Sequence, residues 1–210
     1  TAKTGIDQII AYLIPSICVA STFRTMKRRF TLLSIFLALS SFTGLFAASG
    51  GPDAYGYIWR DSNEPNGPTV NWMDTTSMWT RVNGLADDNS VGTFNMFWDF
   101  HYYWGDYRNI KIGSNGWVAF DNVNNLASCF PNIPTSGGAG DNYLAALMSD
   151  LTFTSSFPQF PNVGKCYYWS NLKDTTVISY YNVPFWQAGT PDWVGSNTFQ
   201  IFLDGNDSSI

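Results

Sequence analysis

Between Phe94 and Phe100 the chain alternates, with Phe94, Met96, Trp98 and Phe100 on one face and Asn95, Phe97 and Asp99 on the other. A period of two over seven residues predicts a half-buried β-strand. Tyr55, Tyr57 and Trp59 alternate with Gly56, Ile58 and Arg60 in the same way, until the turn formers of 61–68 break the pattern. Shorter strands are expected over 70–74 and 78–82, the latter ending at Asn83-Gly84. Residues 109–120 read as a hairpin, with Asn115-Gly116 as the central pair of a type I′ turn. Residues 165–169 and 175–181 form a second hairpin around 171–174, and a last strand covers 198–203. Residues 143–151 fit a short buried strand or one helical turn, and 122–140 a long polar connection. No amphipathic helix and no alternation of strand with helix is visible, so the expected fold is an all-β antiparallel sandwich.

Upstream of residue 50 the pattern changes. Met26-Lys27-Arg28-Arg29 precedes the apolar run from Phe30 to Phe46, which ends in Ala47, Ala48, Ser49 and Gly50. A cationic start, an apolar middle and small residues at the end have the anatomy of a secretory signal peptide, here over 26–48. The run from Ile9 to Ala20 is too short to span a bilayer and is interrupted by Pro15. Residues 1–25 are therefore expected to lie upstream of the product. The exported part is expected to be one sandwich domain over 49–210, cut short at its C-terminal end, with no membrane insertion once the signal is removed.

Removing 1–48 changes the charge. The basic residues fall from 11 to 6 and the acidic ones from 16 to 15, leaving about −9. No basic stripe remains to displace phosphate counterions, which excludes nucleic acid as a partner. Glu64 is the sole glutamate among those acids, and aspartate is a turn and cap residue rather than a helix former. Cys18 departs with the leader, so Cys129 and Cys166 remain as an even pair in an oxidising compartment. A bridge between them is expected to add about 4 kcal/mol on the chain-entropy model, the alternative being two buried thiols. Two cysteines and one histidine do not complete a zinc site.

Several stretches resemble a known family. Gly51-Pro52-Asp53-Ala54-Tyr55-Gly56-Tyr57 and its continuation to residue 68, together with 85–92, Ser114-Asn115-Gly116-Trp117-Val118-Ala119-Phe120 and 197–203, look like the N-terminal β-domain of large secreted surface proteins of Bacteroidota. In such proteins the domain precedes repeat modules and a type IX secretion sorting domain. The middle, an aromatic strand followed by one ending in Ser-Asn-Gly-aromatic-x-x-Phe, is similar to the nidogen-like extracellular domain. The resemblance implies adhesion or interaction at the cell surface, with an extracellular protein or glycan as partner, and brings no catalytic residue.

The residue chemistry points the same way. His101, the single histidine, lies in an aromatic segment with no nucleophile elbow nearby, and reads as a packed strand-end residue. Glu64 sits between Asn63 and Pro65 in turn chemistry, so it has no evident partner carboxylate for glycoside hydrolysis. No cofactor is expected. Asp87, Asp88 and Asn89 concentrate hard oxygen ligands and are the calcium candidates, although a solvated strand-capping turn accounts for them better. All nine tryptophans fall in the exported part. Trp186 and Trp193 in the Pro- and Trp-rich stretch 184–193, with Trp169, are the candidate ligand-stacking aromatics. On them rests the second reading, a carbohydrate-binding accessory module attached to a downstream hydrolase.

Overall fold

The computed structural model describes residues 48–69, 71–75, 77–120 and 142–210. Residues 1–47, Val70, Thr76 and the stretch 121–141 carrying Cys129 lie outside them, and with them the expected signal peptide and Cys129–Cys166 bridge. The chain divides into two compact units, 1–70 and Asn71–Ile210.

In the first unit, β1 (Ser49–Gly50) pairs antiparallel with β2 (Trp59–Arg60). The expected strand from Tyr55 is confined to its last two residues. The Asp53 carboxylate accepts the N–H groups of Tyr55, Gly56 and Tyr57 at 2.8–2.9 Å, which spends on a turn the donors that a ladder would need.

The second unit is an all-β antiparallel sandwich. Its strands are β3 (Thr80–Arg81), β4 (Ser90–Tyr102), β5 (Gly105–Gly113), β6 (Trp117–Phe120), β7 (Tyr143–Ala145), β8 (Lys165–Ser170), β9 (Thr175–Trp186) and β10 (Trp193–Asp204). One sheet has the order β4-β5-β6-β7 and the other β10-β9-β8-β3. Each is largely a meander, so short turns set most of the pairing. Met96, Phe100, Ile110, Ile112, Val118 and Phe120 from the first sheet meet Cys166, Tyr168, Ile178, Tyr180, Ile201 and Leu203 from the second in one core. Burial pushes the Cys166 thiol far above its ordinary range, and raises the buried Tyr168 hydroxyl to about 12.

The alternation read in β4 is present, with Met96, Trp98 and Phe100 inside and Phe97 outside. The pairing is less regular than the pattern. Between Asn95↔Asn109 and Phe100↔Tyr107, the four residues 96–99 of β4 stand against Arg108 alone, a bulge larger than the ordinary two residues against one.

The second sheet is covered on its outer face as well. Trp79 stacks on Trp169 with ring centroids 6.0 Å apart, and the Gln200 side chain exchanges hydrogen bonds with the backbone of Met73. Residues 71–74 and 78–79 are not strand, contrary to expectation. This segment is held to the sheet by side chains, and only Thr80–Arg81 joins the ladder, opposite Tyr168 and Tyr167.

The 109–120 hairpin is also built differently from the expected type I′ turn. The register Ile112↔Val118 leaves Ser114, Asn115 and Gly116 as a three-residue loop, and only Gly116 has positive φ, at 74°. A type I′ turn needs both central residues there, whereas a three-residue hairpin needs one glycine in the left-handed region. The cause is tertiary, because Asn115 is wholly buried with its side chain committed to neighbouring segments.

Candidate functional site

The Ser114–Gly116 loop organises one end of the sandwich. Ser114 Oγ donates to the Asp87 carbonyl and accepts from Asn89 N–H at 3.0 Å. Asn115 Nδ2 donates to Asp88 Oδ1 at 2.8 Å, and its Oδ1 accepts Leu151 N–H at 2.9 Å. The Gly116 carbonyl takes Leu147 N–H at 3.2 Å. From the opposite sheet the buried Tyr180 hydroxyl donates to the Gly113 carbonyl at 2.6 Å. A polar loop is tolerated at full burial because its donors and acceptors find partners.

Of the three calcium candidates, Asn89 is spent on its own loop, with Oδ1 accepting Ala86 N–H and Nδ2 donating to the Gly84 carbonyl, both at 2.8 Å. Among the described residues no group of three or more His, Cys, Asp or Glu side chains is arranged to hold a metal ion. Asp87 and Asp88 instead share the neighbourhood with Asp150 and Asp192. Burial raises Asp87 above the usual carboxylate range, and the charges of Asp88, Asp150 and Asp192 raise it further. The adjacent Thr152 hydroxyl offsets part of this, but Asp87 Oδ1 is buried without a hydrogen-bond partner. Burial and then Asp88 raise Asp150 likewise. Asp192 moves the other way, because Ser156 N–H and Ser155 Oγ donate to its carboxylate at 2.7 and 2.8 Å.

A carboxyl whose folded pKa lies above its unfolded value binds its proton more tightly when folded. Its stabilisation is complete below the unfolded value and is lost as pH rises through the folded one. Asp87→Asn is therefore expected to raise the thermal midpoint at pH 7. The advantage over wild type should shrink on acidification toward pH 4, as followed by circular dichroism; an unchanged or lower midpoint at pH 7 would contradict it.

The same corner holds the aromatic candidates. Residues 149–153 run beside the end of β9, with the Asp150 carbonyl accepting Trp186 N–H at 2.8 Å and the Pro184 carbonyl accepting Thr152 N–H at 3.1 Å. Pro184 and Trp186 prove to be the end of β9 and Trp193 the start of β10, so only 187–192 is loop. Trp186 and Trp193 are directly opposed in the ladder and share a face of the sheet. Trp186 is 42 % exposed. Trp193 is half-buried, its indole N–H donating to the carbonyl of Phe160 at 3.1 Å, and the Phe160 ring is itself exposed. The fold thus brings Asp87 and Asp88 to the end where Trp186 and Trp193 lie, through Asp150 and Asp192, two residues that no local pattern singled out.

Trp169 is not part of this end. It is half-buried beneath Trp79 on the outer face. His101 is exposed rather than packed, and its Nδ1 lies 2.7 Å from Asp106 Oδ1 directly across the β4–β5 ladder. A hydrogen bond across the strands replaces the expected burial. Cys166, the one thiol among the described residues, is sealed in the core and beyond reach of a substrate. The Glu64 backbone closes the 61–67 turn, its N–H donating to Asp61 and its carbonyl accepting Gly67 N–H.

Residues 68–168 match the family model described as NIDO related, which supports a nidogen-like domain there. The match takes in Asp87, Asp88, the Ser114–Gly116 loop and Asp150, and stops short of Trp186 and Trp193. No curated protein and no solved structure matches the chain. Among the described residues no helix is long and apolar enough to cross a membrane.

Proposed function

We propose that the protein is a non-catalytic extracellular interaction domain that binds a protein partner through the end formed by Asp87, Asp88, Asp150, Trp186 and Trp193. The observation that carries this reading is the convergence itself. The exposed Trp186 indole and Phe160 ring, with the half-buried Trp193 indole, supply apolar contact, and beside them stand carboxyls raised by burial and mutual repulsion. Such carboxyls gain from a partner's donors, and aromatic anchors dominate the energetics of most interfaces. The nidogen-related match fits a surface role, and the leader-like segment fits export of a larger surface protein, in the type IX setting that the resembling stretches suggest.

The second reading is a carbohydrate-binding accessory module. The cross-strand Trp186–Trp193 pair favours it, since sugar rings stack on indole faces while carboxylates accept hydroxyl hydrogen bonds. Calorimetry against soluble polysaccharides and a panel of extracellular proteins separates the two. The expected result is protein binding without polysaccharide binding, with affinity falling about ten-fold or more in Trp186→Ala. Polysaccharide binding lost in Trp186→Ala and Trp193→Ala would establish the second reading instead. Turnover of a polysaccharide or peptide, lost in Glu64→Gln or His101→Ala, would overturn both.

A further inference from the structure

The β4 bulge and the β8–β9 turn each hold a bulky apolar residue in a conformation it rarely adopts. Phe97, in the β4 bulge, has φ 71° and is 59 % exposed, and Leu172, in the β8–β9 turn, has φ 66° and is 61 % exposed. For a large side chain with a Cβ the left-handed region costs about 1–2 kcal/mol, and strain of this kind persists only where surrounding structure over-determines it. That structure is present. Asn95 Oδ1 accepts Phe97 N–H at 2.7 Å, and Tyr168 Oη donates to the Asn95 carbonyl at 2.5 Å. Ser170 Oγ donates to the Met96 carbonyl at 2.8 Å while accepting Leu172 N–H at 3.0 Å, so one hydroxyl joins the two backbones. Arg108 grips Asp99 with two 2.8 Å bonds across the bulge.

Neither side chain repays this strain by burial, since both point their apolar surface to water. The surroundings state what would cover them. The 204–209 turn lies alongside, with Gly205 N–H donating to the Asp174 carbonyl at 2.7 Å, and it adds Asp204 and Asp207 to Asp174. Hydrogen bonds hold Asp174 and Asp207 below the usual carboxylate range, from Asn171 first and from Ser209 first respectively. Against these three carboxylates stands Lys173, its ammonium loosely paired with Asp174 at 3.6 Å. Asp99 and Arg108 cancel.

We propose that Phe97 and Leu172 form a pre-organised docking pair for a polypeptide segment of another protein in which apolar residues alternate with lysine or arginine. This goes beyond the Trp186–Trp193 end and stands without it. The test titrates the purified protein with a fluorescent synthetic peptide of alternating leucine and lysine, beside control peptides with glutamate for lysine and with serine for leucine. The leucine–lysine peptide is expected to bind, with affinity falling as salt rises, and the controls much more weakly. Phe97→Gly and Leu172→Gly should each weaken binding about ten-fold or more while leaving the thermal midpoint equal or higher, because glycine relieves the strain. Trp186→Ala should leave this binding unchanged. Unaltered binding in both glycine variants, equal binding of the glutamate peptide, or a lowered midpoint in both variants would overturn the proposal. So would glycine-sensitive adsorption to phosphatidylcholine vesicles in place of peptide binding, which would assign the pair to a lipid surface.

Discussion

Gly116→Ala is expected to destabilise the sandwich by about 2–5 kcal/mol, a large part of the 5–15 kcal/mol typical of a domain. Two costs combine. At φ 74° any residue with a Cβ pays about 1–2 kcal/mol, and the new methyl overlaps the Leu147 carbonyl oxygen and presses on Leu151 Cδ1 at 3.3 Å. Overpacking at a site that cannot relax adds about 1–3 kcal/mol. Relaxation is blocked because the Gly116 carbonyl itself holds Leu147 N–H, so moving Leu147 away breaks a bond of the same loop. Gly84→Ala separates the two costs. Gly84 has φ 94°, but its new Cβ would meet only Val91 Cγ2 at 3.6 Å, so only the backbone cost remains. Urea unfolding of both variants checks this, and equal losses at the two positions would remove the overlap argument.

Asn115→Ala is expected to cost about 2–4 kcal/mol. The side chain is wholly buried, and truncation strands the N–H of Leu151, itself fully buried, for about 1–3 kcal/mol. It also removes the charge-assisted bond to Asp88. Asp88 is exposed and is rehydrated when Asn115 is truncated, so most of that cost falls on Leu151. Asp88→Ala takes one acceptor from Asn115 Nδ2, leaves the Leu151 bond in place, and should cost less. The double variant should lose less than the two singles together, with a coupling of about 0.5–3 kcal/mol. Asn115→Ala within about 0.5 kcal/mol of wild type would show that the loop does not organise this end. The consequence for binding is direct, because Asn115 ties the Asp88 loop to Leu151, and the neighbouring Asp150 carbonyl holds the backbone of Trp186.

Where one face of a segment is buried and its neighbour is close in the chain, the pattern was legible. Residues 94–100 show this, as does the 165–181 hairpin, whose Asn171 side chain caps the turn by accepting the N–H groups of Lys173, Asp174 and Thr175 at 2.9 Å. Local chemistry misled at 71–74 and 78–79 and at Asn115-Gly116. In the first, apolar residues that fit a strand serve to cover a sheet face, and Trp79 on Trp169 decides that. In the second, a dipeptide that ordinarily makes a two-residue turn became part of a longer loop because the Asn115 side chain is claimed by Asp88 and Leu151.

The candidate site divides along the same line. Asp87, Asp88, Trp186 and Trp193 stood out as residue types in loops. Asp150 and Asp192 did not, since a single aspartate in a turn carries no signal of the charges it will face. Their neighbours are chosen by sheet pairing and by the buried loop at Ser114–Gly116.

The amino-acid sequence by itself determined the class of fold, the strands whose periodicity reflects one buried face, and the acidic, aromatic-rich character of the surface. Only the tertiary structure decided which carboxyls repel one another, which tryptophans are covered and which stay open, and that Phe97 and Leu172 are held strained and exposed. The physical reason is that periodicity records the contrast between one face of a strand and the other. The worth of a charge, an indole or a backbone angle depends on what distant segments bring against it.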